Sequence, residues 1–317
     1  MYQNIASNKA KSIFTIIFFI LFIAAVGYLI GYIFDYRYGA GSNFSILILV
    51  IAFIIALITS FAGYYNSDKI VLQISGARPI EKDNDTRVNY VVEGLSIAAG
   101  IPMPRIYIIE ENGMNAFATG RNPQNGVIVL TRGIINNLND EELKGVISHE
   151  LSHIKNYDIL LGTVIVIFVG MLSIASNILL RSFFFGDGRR RSNDRSSGGG
   201  GIFGLVLLII GVVLVLLSPL IGSLIRMAIS RNREFLADSN GALISRYPAG
   251  LANALRKLNN FSQVESARSA TSHMFIADPL TKKNKPVFSG LFSTHPPIEE
   301  RIRRLDEMSL GIGIKDY

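Results

Sequence analysis

Four stretches of the 317-residue sequence contain no Asp, Glu, Lys or Arg: residues 13–34, 44–65, 159–180 and 202–225. Each is long enough, as a helix, to cross about 30 Å of hydrocarbon. A bilayer offers the backbone no hydrogen-bond partners, so an apolar run of this length has to satisfy its own, as a helix does. These windows concentrate the apolar excess of a chain that is 49% hydrophobic, with a mean hydropathy of +0.36. The expectation is an α+β integral membrane protein with four transmembrane helices in two hairpins. The first window exceeds the roughly 7–15 residues of a signal-peptide core. The following "GYLIGYIFDYRYG" offers no convincing small-residue cleavage site, so an uncleaved anchor is expected.

This divides the chain into an N-terminal hairpin (1–66), a polar block (67–158), a second hairpin (159–225) and a second polar block (226–317). The second hairpin encloses "GDGRRRSNDRSSGGGG" at 186–201, a basic Gly- and Ser-rich connector. There are no cysteines, which removes disulfides, thiolate ligands and a cysteine nucleophile together. The net charge of +7 is accounted for by Lys and Arg beside the spans. No nucleic-acid module, phosphate loop or dinucleotide fingerprint is present, so no nucleic-acid partner is expected.

In the first polar block, "PRIYIIEE", "NAFATG" and "GVIVLT" are short β-prone segments separated by turn residues, which suggests a small antiparallel sheet. Before them, "TRVNYVVEGLSIAAGI" has helical spacing and stops at Gly100. After them, "LNDEELKGVISHELSHIK" opens on a capping box, with Asn139 as N-cap and Glu142 three residues on. In the second block, "SLIRMAISRNREFLADSNGALIS" and the amphipathic "PIEERIRRLDEM" read as further helices.

His149, Glu150 and His153 form H-E-x-x-H on the helix that Asn139 starts. Residues four apart share a face, so the two imidazoles can bind one ion while Glu150 flanks it. A catalytic zinc site usually takes three protein ligands and leaves one position for water. With cysteine absent, the third ligand is His273, His295 or a carboxylate. Glu234 and Asp238 lie four apart in "NREFLAD" and offer a ligand with an orienting partner beside it.

"HELSH", "NREFLAD", "NAFATG" and "STHPPIEERI", with paired spans before and between the halves, resemble the HtpX-type membrane zinc metallopeptidases, whose wider group includes the CAAX prenyl proteases. The resemblance covers essentially the whole chain. It implies a mainly helical, gluzincin-like catalytic domain assembled from the two polar blocks, with one Zn²⁺ per chain. Glu234 would join His149 and His153 as ligand, Glu150 would be the general base, and Asp238 would orient a ligating imidazole. By elimination, His273 or His295 would steady the oxyanion. The strand Asn115, Ala116, Phe117, Ala118 would hold an extended substrate by β-augmentation.

Because both blocks contribute to one ion, they lie on the same side, and the chain between them crosses an even number of times. Continuous helices would place His153 about 9 Å from the third window and Glu234 about 14 Å from the fourth. Lys and Arg near the spans favour a cytoplasmic site at the cell membrane, although Arg189, Arg190 and Arg191 pull the other way. The expected role is proteolytic quality control of misfolded or surplus membrane proteins in the stress response. The partners are then protein substrates and the lipid bilayer, with the oligomeric state open. The alternatives are a prenyl-protein protease and a non-catalytic zinc-containing scaffold.

Overall fold

The computed structural model describes residues 2–38, 42–80, 85–170, 231–261 and 296–311, with 263–265, 267, 271–277 and 279 between the last two. These residues fall into two compact units. The first comprises residues 1–12, 64–166 and 225–317, and the second residues 13–63 and 167–224.

The second unit is built on α1 (Tyr2–Tyr38) beyond its first turns and α2 (Ser42–Tyr65). Both helices turn large apolar side chains outward, with Phe14 62% and Phe61 67% exposed, as a lipid-facing surface requires. Where they cross, a Cβ on Gly27 would lie 2.5 Å from that of Ala52, so only glycine permits the approach. Asp35 accepts hydrogen bonds from the backbone N–H and the hydroxyl of Ser45, securing the start of α2. Phe168 stacks on Phe19 with ring centroids 3.9 Å apart.

The first unit continues through α3 (Ser67–Ser75), β1 (Arg78–Pro79), α4 (Thr86–Ala99), β2 (Arg105–Ile109), β3 (Ala116–Thr119), β4 (Val127–Thr131) and α5 (Arg132–Asn137). It then runs through α6 (Asp140–Lys155) into α7 (Asp158–Gly170). Its second half supplies α8 (Arg231–Ser245), α9 (Pro248–Phe261) and α10 (Ile298–Ser309). The capping box is formed: the Asn139 side chain accepts from Glu142 N–H at 2.9 Å, and Glu142 returns the bond to Asn139 N–H at 2.9 Å. α6 then runs through the middle of the unit, packed by α4, α8 and α9. Leu143, Ile147, Leu151 and Ile154 are fully buried along it, each contributing about 2 kcal/mol relative to exposure.

The sheet differs from the antiparallel one the turn signals suggest. Its order is β1-β2-β4-β3, with β2 and β4 parallel and the two outer pairings antiparallel. β4 is buried along its whole length and takes the centre, because a strand covered on both faces needs a continuous apolar run. β3 is displaced to the edge.

Among the described residues, two helices, Ile5–Tyr32 and Asn43–Tyr65, are long and apolar enough to cross a membrane; they match the first two of the four expected windows. A third span among the described residues would require α6 and α7 to count as one, although they bend by 81° at their junction. α6 has an acidic first turn and is packed within the unit, so it is a core helix. The expected third window is described only as far as Gly170. The fourth, with the basic loop 186–201, lies outside the described residues.

Candidate metal centre

All the described site residues belong to the first unit. His149 and His153 lie one turn apart on α6, and α8 brings Glu234 and Asp238 against them. The approach is close: a Cβ at Gly241 of α8 would sit 3.0 Å from the His149 backbone nitrogen. The Nε2 atoms of His149 and His153 are 3.1 Å apart. Glu234 Oε2 is 3.7 Å from the first, and its Oε1 is 3.5 Å from the second. Donors bound tetrahedrally at zinc distances stand about 3.4 Å from one another. Each Nε2 thus has a different Glu234 oxygen near that spacing, and one donor atom from each of the three residues lies within 4.8 Å of the others, close enough to converge on one ion.

The outer ring nitrogens explain why both Nε2 atoms face inward. His149 Nδ1 lies 2.9 Å from Asp238 Oδ1, and His153 Nδ1 lies 3.0 Å from Asp158 Oδ2. A carboxylate at Nδ1 fixes the proton there and leaves Nε2 as the lone-pair donor. Asp238 is in turn gripped by Arg301, with Nε to Oδ2 at 2.8 Å and Nη2 to Oδ1 at 2.7 Å. Arg301 Nη1 donates to the Ile276 carbonyl at 2.8 Å and lies 3.7 Å from Glu234 Oε2.

Charge follows from this arrangement. Burial drives the His149 imidazolium pKa down, and Asp238 only partly offsets it, so the ring is neutral as a ligand should be. Burial also acts downward on His153. There the hydrogen bond to Asp158 and the carboxylates of Glu234, Asp158 and Glu150 prevail and raise the value to about 9. Burial alone would raise Asp238, but Arg301 and His149 hold it below the usual carboxylate range.

Glu150 is buried on the same helix, and burial pushes its carboxyl up to about 7. The backbone of Ala118, beside it, acts weakly in the other direction, while its Oε1 has no hydrogen-bond partner among the described residues. A cavity of ≈ 60 Å³ is lined by Ala118, Glu150, His153, Asp158, Ile159, Gly162, Glu234, His273 and Met274. A buried carboxyl near neutrality beside three metal-type donors suits proton transfer to and from water.

Of the other expected residues, His273 lines this cavity, whereas His295 lies outside the described residues. In β3, Ala118 faces the cavity. The Ala116 carbonyl already accepts from Ile276 N–H at 2.9 Å, and the Asn115 side chain donates to the Ala277 carbonyl at 2.9 Å. Phe117 points into the core against Phe275, with centroids 4.9 Å apart. Sequence reasoning missed Asp158 and Arg301. Arg301 had left a signal: it stands at a helical-stripe position whose companions are Ile298, Ile302 and Leu305. Asp158 had none beyond its closeness to His153.

The profile of Peptidase family M48 matches residues 82–309. A protein named "Protease HtpX homolog" from Dictyoglomus thermophilum is 42% identical over 313 residues, covering 97% of this chain and 94% of that one. The protein of the same name from Lactobacillus helveticus is 38% identical over 309 residues, covering 97% of this chain and all of that one. Among solved structures, the crystal structure of S. mikatae Ste24p is 19% identical with a TM-score of 0.46, covering 89% of this chain and 62% of that one. That last likeness is too loose to support an inference.

Proposed function

Because this chain belongs to peptidase family M48, we propose that its metalloprotease site uses one zinc ion held by His149, His153 and Glu234, with Glu150 as the catalytic base. The protein is a membrane metalloprotease. The observation that carries the finer reading is the convergence of those three donors beside the buried carboxyl of Glu150.

Bound there, the ion supplies Lewis acidity and draws the pKa of a water toward neutrality. The chain's own residues do the rest. Asp238 and Asp158 orient the two imidazoles, and Arg301 keeps Asp238 ionised. Glu150 Oε1, with no hydrogen-bond partner among the described residues, is the atom to take a proton from the attacking water and hand it to the leaving amine. His273, on the wall of the cavity, is the described donor best placed to meet the developing oxyanion. His295 is the other candidate.

The substrates we infer are misfolded or surplus membrane proteins, cleaved on the cytoplasmic side of the cell membrane. One wall of the cavity is Ile159 and Gly162, the opening turns of the apolar helix α7, a surface suited to chains that have just left lipid.

The test is cleavage of an unfolded protein such as casein by detergent-purified enzyme, kept in chelator and then given zinc. Glu150→Gln should abolish cleavage while zinc content stays near one per chain. Glu234→Ala should lose both metal and activity. Full zinc and activity in Glu234→Ala would overturn the ligand set.

A further inference from the structure

Asp158 orients His153, but Asp158 is itself held by a residue from the far end of the sequence. Asn8, in the first turns of α1, is 2% exposed. Its Nδ2 donates to Asp158 Oδ1 at 2.6 Å and to the backbone carbonyl of Asn156 at 3.0 Å. Both partners are acceptors, so the amide orientation is determined: the opposite flip would set an oxygen against a carboxylate and a carbonyl. The two carboxylate oxygens of Asp158 are thereby divided, Oδ2 to His153 and Oδ1 to Asn8, with Arg233 Nη1 at 3.7 Å from Oδ1.

The place of this staple matters. Asn156 caps α6 and Asp158 begins α7, and the chain turns by 81° between the two helices. Tyr157, at the corner, has φ of 60°, a left-handed conformation that costs a non-glycine residue of order 1 kcal/mol or more. The corner therefore needs outside support to keep one geometry. Asn8 bonds both sides of it, and Lys9 Nζ sits 4.2 Å above the Tyr157 ring.

We propose that Asn8 is a positioning residue of the metal centre, its carboxamide holding Asp158 in the orientation that fixes the His153 ring. The proposal rests on the reading of His153 as a metal ligand. It makes the residues just before the first apolar window a working part of the site. It also sets up a reciprocal coupling: whatever tightens the metal must tighten the first turns of α1, and the reverse.

Zinc affinity is measured by chelator competition on the full chain in detergent, together with the visible spectrum of the cobalt-loaded protein. Asn8→Asp, isosteric but acceptor-only, and Asn8→Ala should each lower zinc affinity by about 10- to 100-fold and change the cobalt spectrum. Lys9→Ala removes the cation over Tyr157 but no bond to Asp158, and should leave the spectrum alone. Wild-type affinity and spectrum in either folded Asn8 variant overturn the proposal. So does a Lys9→Ala spectrum shifted as far as theirs, which would mean that docking of the whole segment, not the amide, is responsible. Should both Asn8 variants fail to fold, hydrogen exchange on the wild type decides: zinc should slow exchange in residues 5–12, and identical exchange with and without zinc overturns the coupling. Glu234→Ala separates the two readings. If it binds zinc like wild type, the ligand set has failed. If it loses zinc while the Asn8 variants keep it, only the role of Asn8 has.

Discussion

Arg301 and Asp238 grip one another through two parallel hydrogen bonds in the interior, with Arg301 wholly buried and Asp238 at the same time touching His149. The third arm of the guanidinium reaches the carbonyl of Ile276, whose N–H is bonded to Ala116 on the sheet edge. One side chain thus ties the metal centre to β3.

Arg301→Met should leave the Asp238 charge buried without its main partner. Removing one member of such a pair costs about 3–5 kcal/mol, and a denaturant titration of the metal-free protein would measure it. Arg301→Met with Asp238→Asn together should recover part of that loss, since no charge is then stranded. A double variant as unstable as the sum of its parts would show that the pair is not coupled.

Metal affinity should rise with pH. Binding requires a neutral His153, and the metal-free site holds its pKa at about 9, so a proton must be displaced below that value. The gain approaches tenfold per pH unit between about 7 and 9 and then flattens. For the metal-free protein the sign is opposite. A pKa raised from 6.5 to about 9 contributes stability that is complete below 6.5 and lost as pH rises through 9. Chelator competition across this range would show it; a flat profile from 7 to 9 would mean His153 is already neutral.

Zinc added to the purified protein should generate fragments of the chain itself, because an endopeptidase that acts on unfolded chains can also cut copies of itself wherever they open. Gel analysis over time should show them in wild type and not in Glu150→Gln. Equal fragmentation in the variant would point to a contaminating protease.

The lack of cysteine makes topology measurable without background. Ser309, exposed at the end of α10, is expected on the cytoplasmic side, so Ser309→Cys should react with an impermeant maleimide only after lysis. Ser192, outside the described residues, should label in intact cells as Ser192→Cys if windows 159–180 and 202–225 both cross. Labelling of Ser309→Cys in intact cells would reverse the assigned orientation.

Much of the site was legible because it is written in short-range spacing. His149 and His153 share a face by helical period, Asn139 and Glu142 announce where that helix starts, and Glu234 with Asp238 repeat the spacing on a second helix. Asn8 was not legible, because its role comes from a contact about half the chain away. Asp158 stands only five residues from His153, but nothing in the sequence marks it as that imidazole's partner. Arg301 left only its place in the apolar stripe of Ile298, Ile302 and Leu305, which does not say that it meets Asp238. The sheet was misread for a related reason: Gly and Pro mark where strands end, not which strand lies beside which. The continuous apolar run of β4 was the clue that it is central.

If β3 holds the substrate strand, as the family resemblance implies, its occupied rim would limit how the enzyme chooses what it cuts. The Ala116 carbonyl is already bonded to Ile276 and the Ala118 backbone stands beside the Glu150 carboxyl, so the Ala118 carbonyl is the next outward-facing group on that rim by the alternation of an antiparallel pair. Each main-chain hydrogen bond contributes only about 0.5–1.5 kcal/mol net, so an incoming peptide gains little grip from backbone pairing. A short foothold reads few side chains and cannot pry open a folded partner. On that reading, selection would fall on the state of the target: a polypeptide already slack and unpaired would thread past the site, while one that keeps its own hydrogen bonds would be passed over.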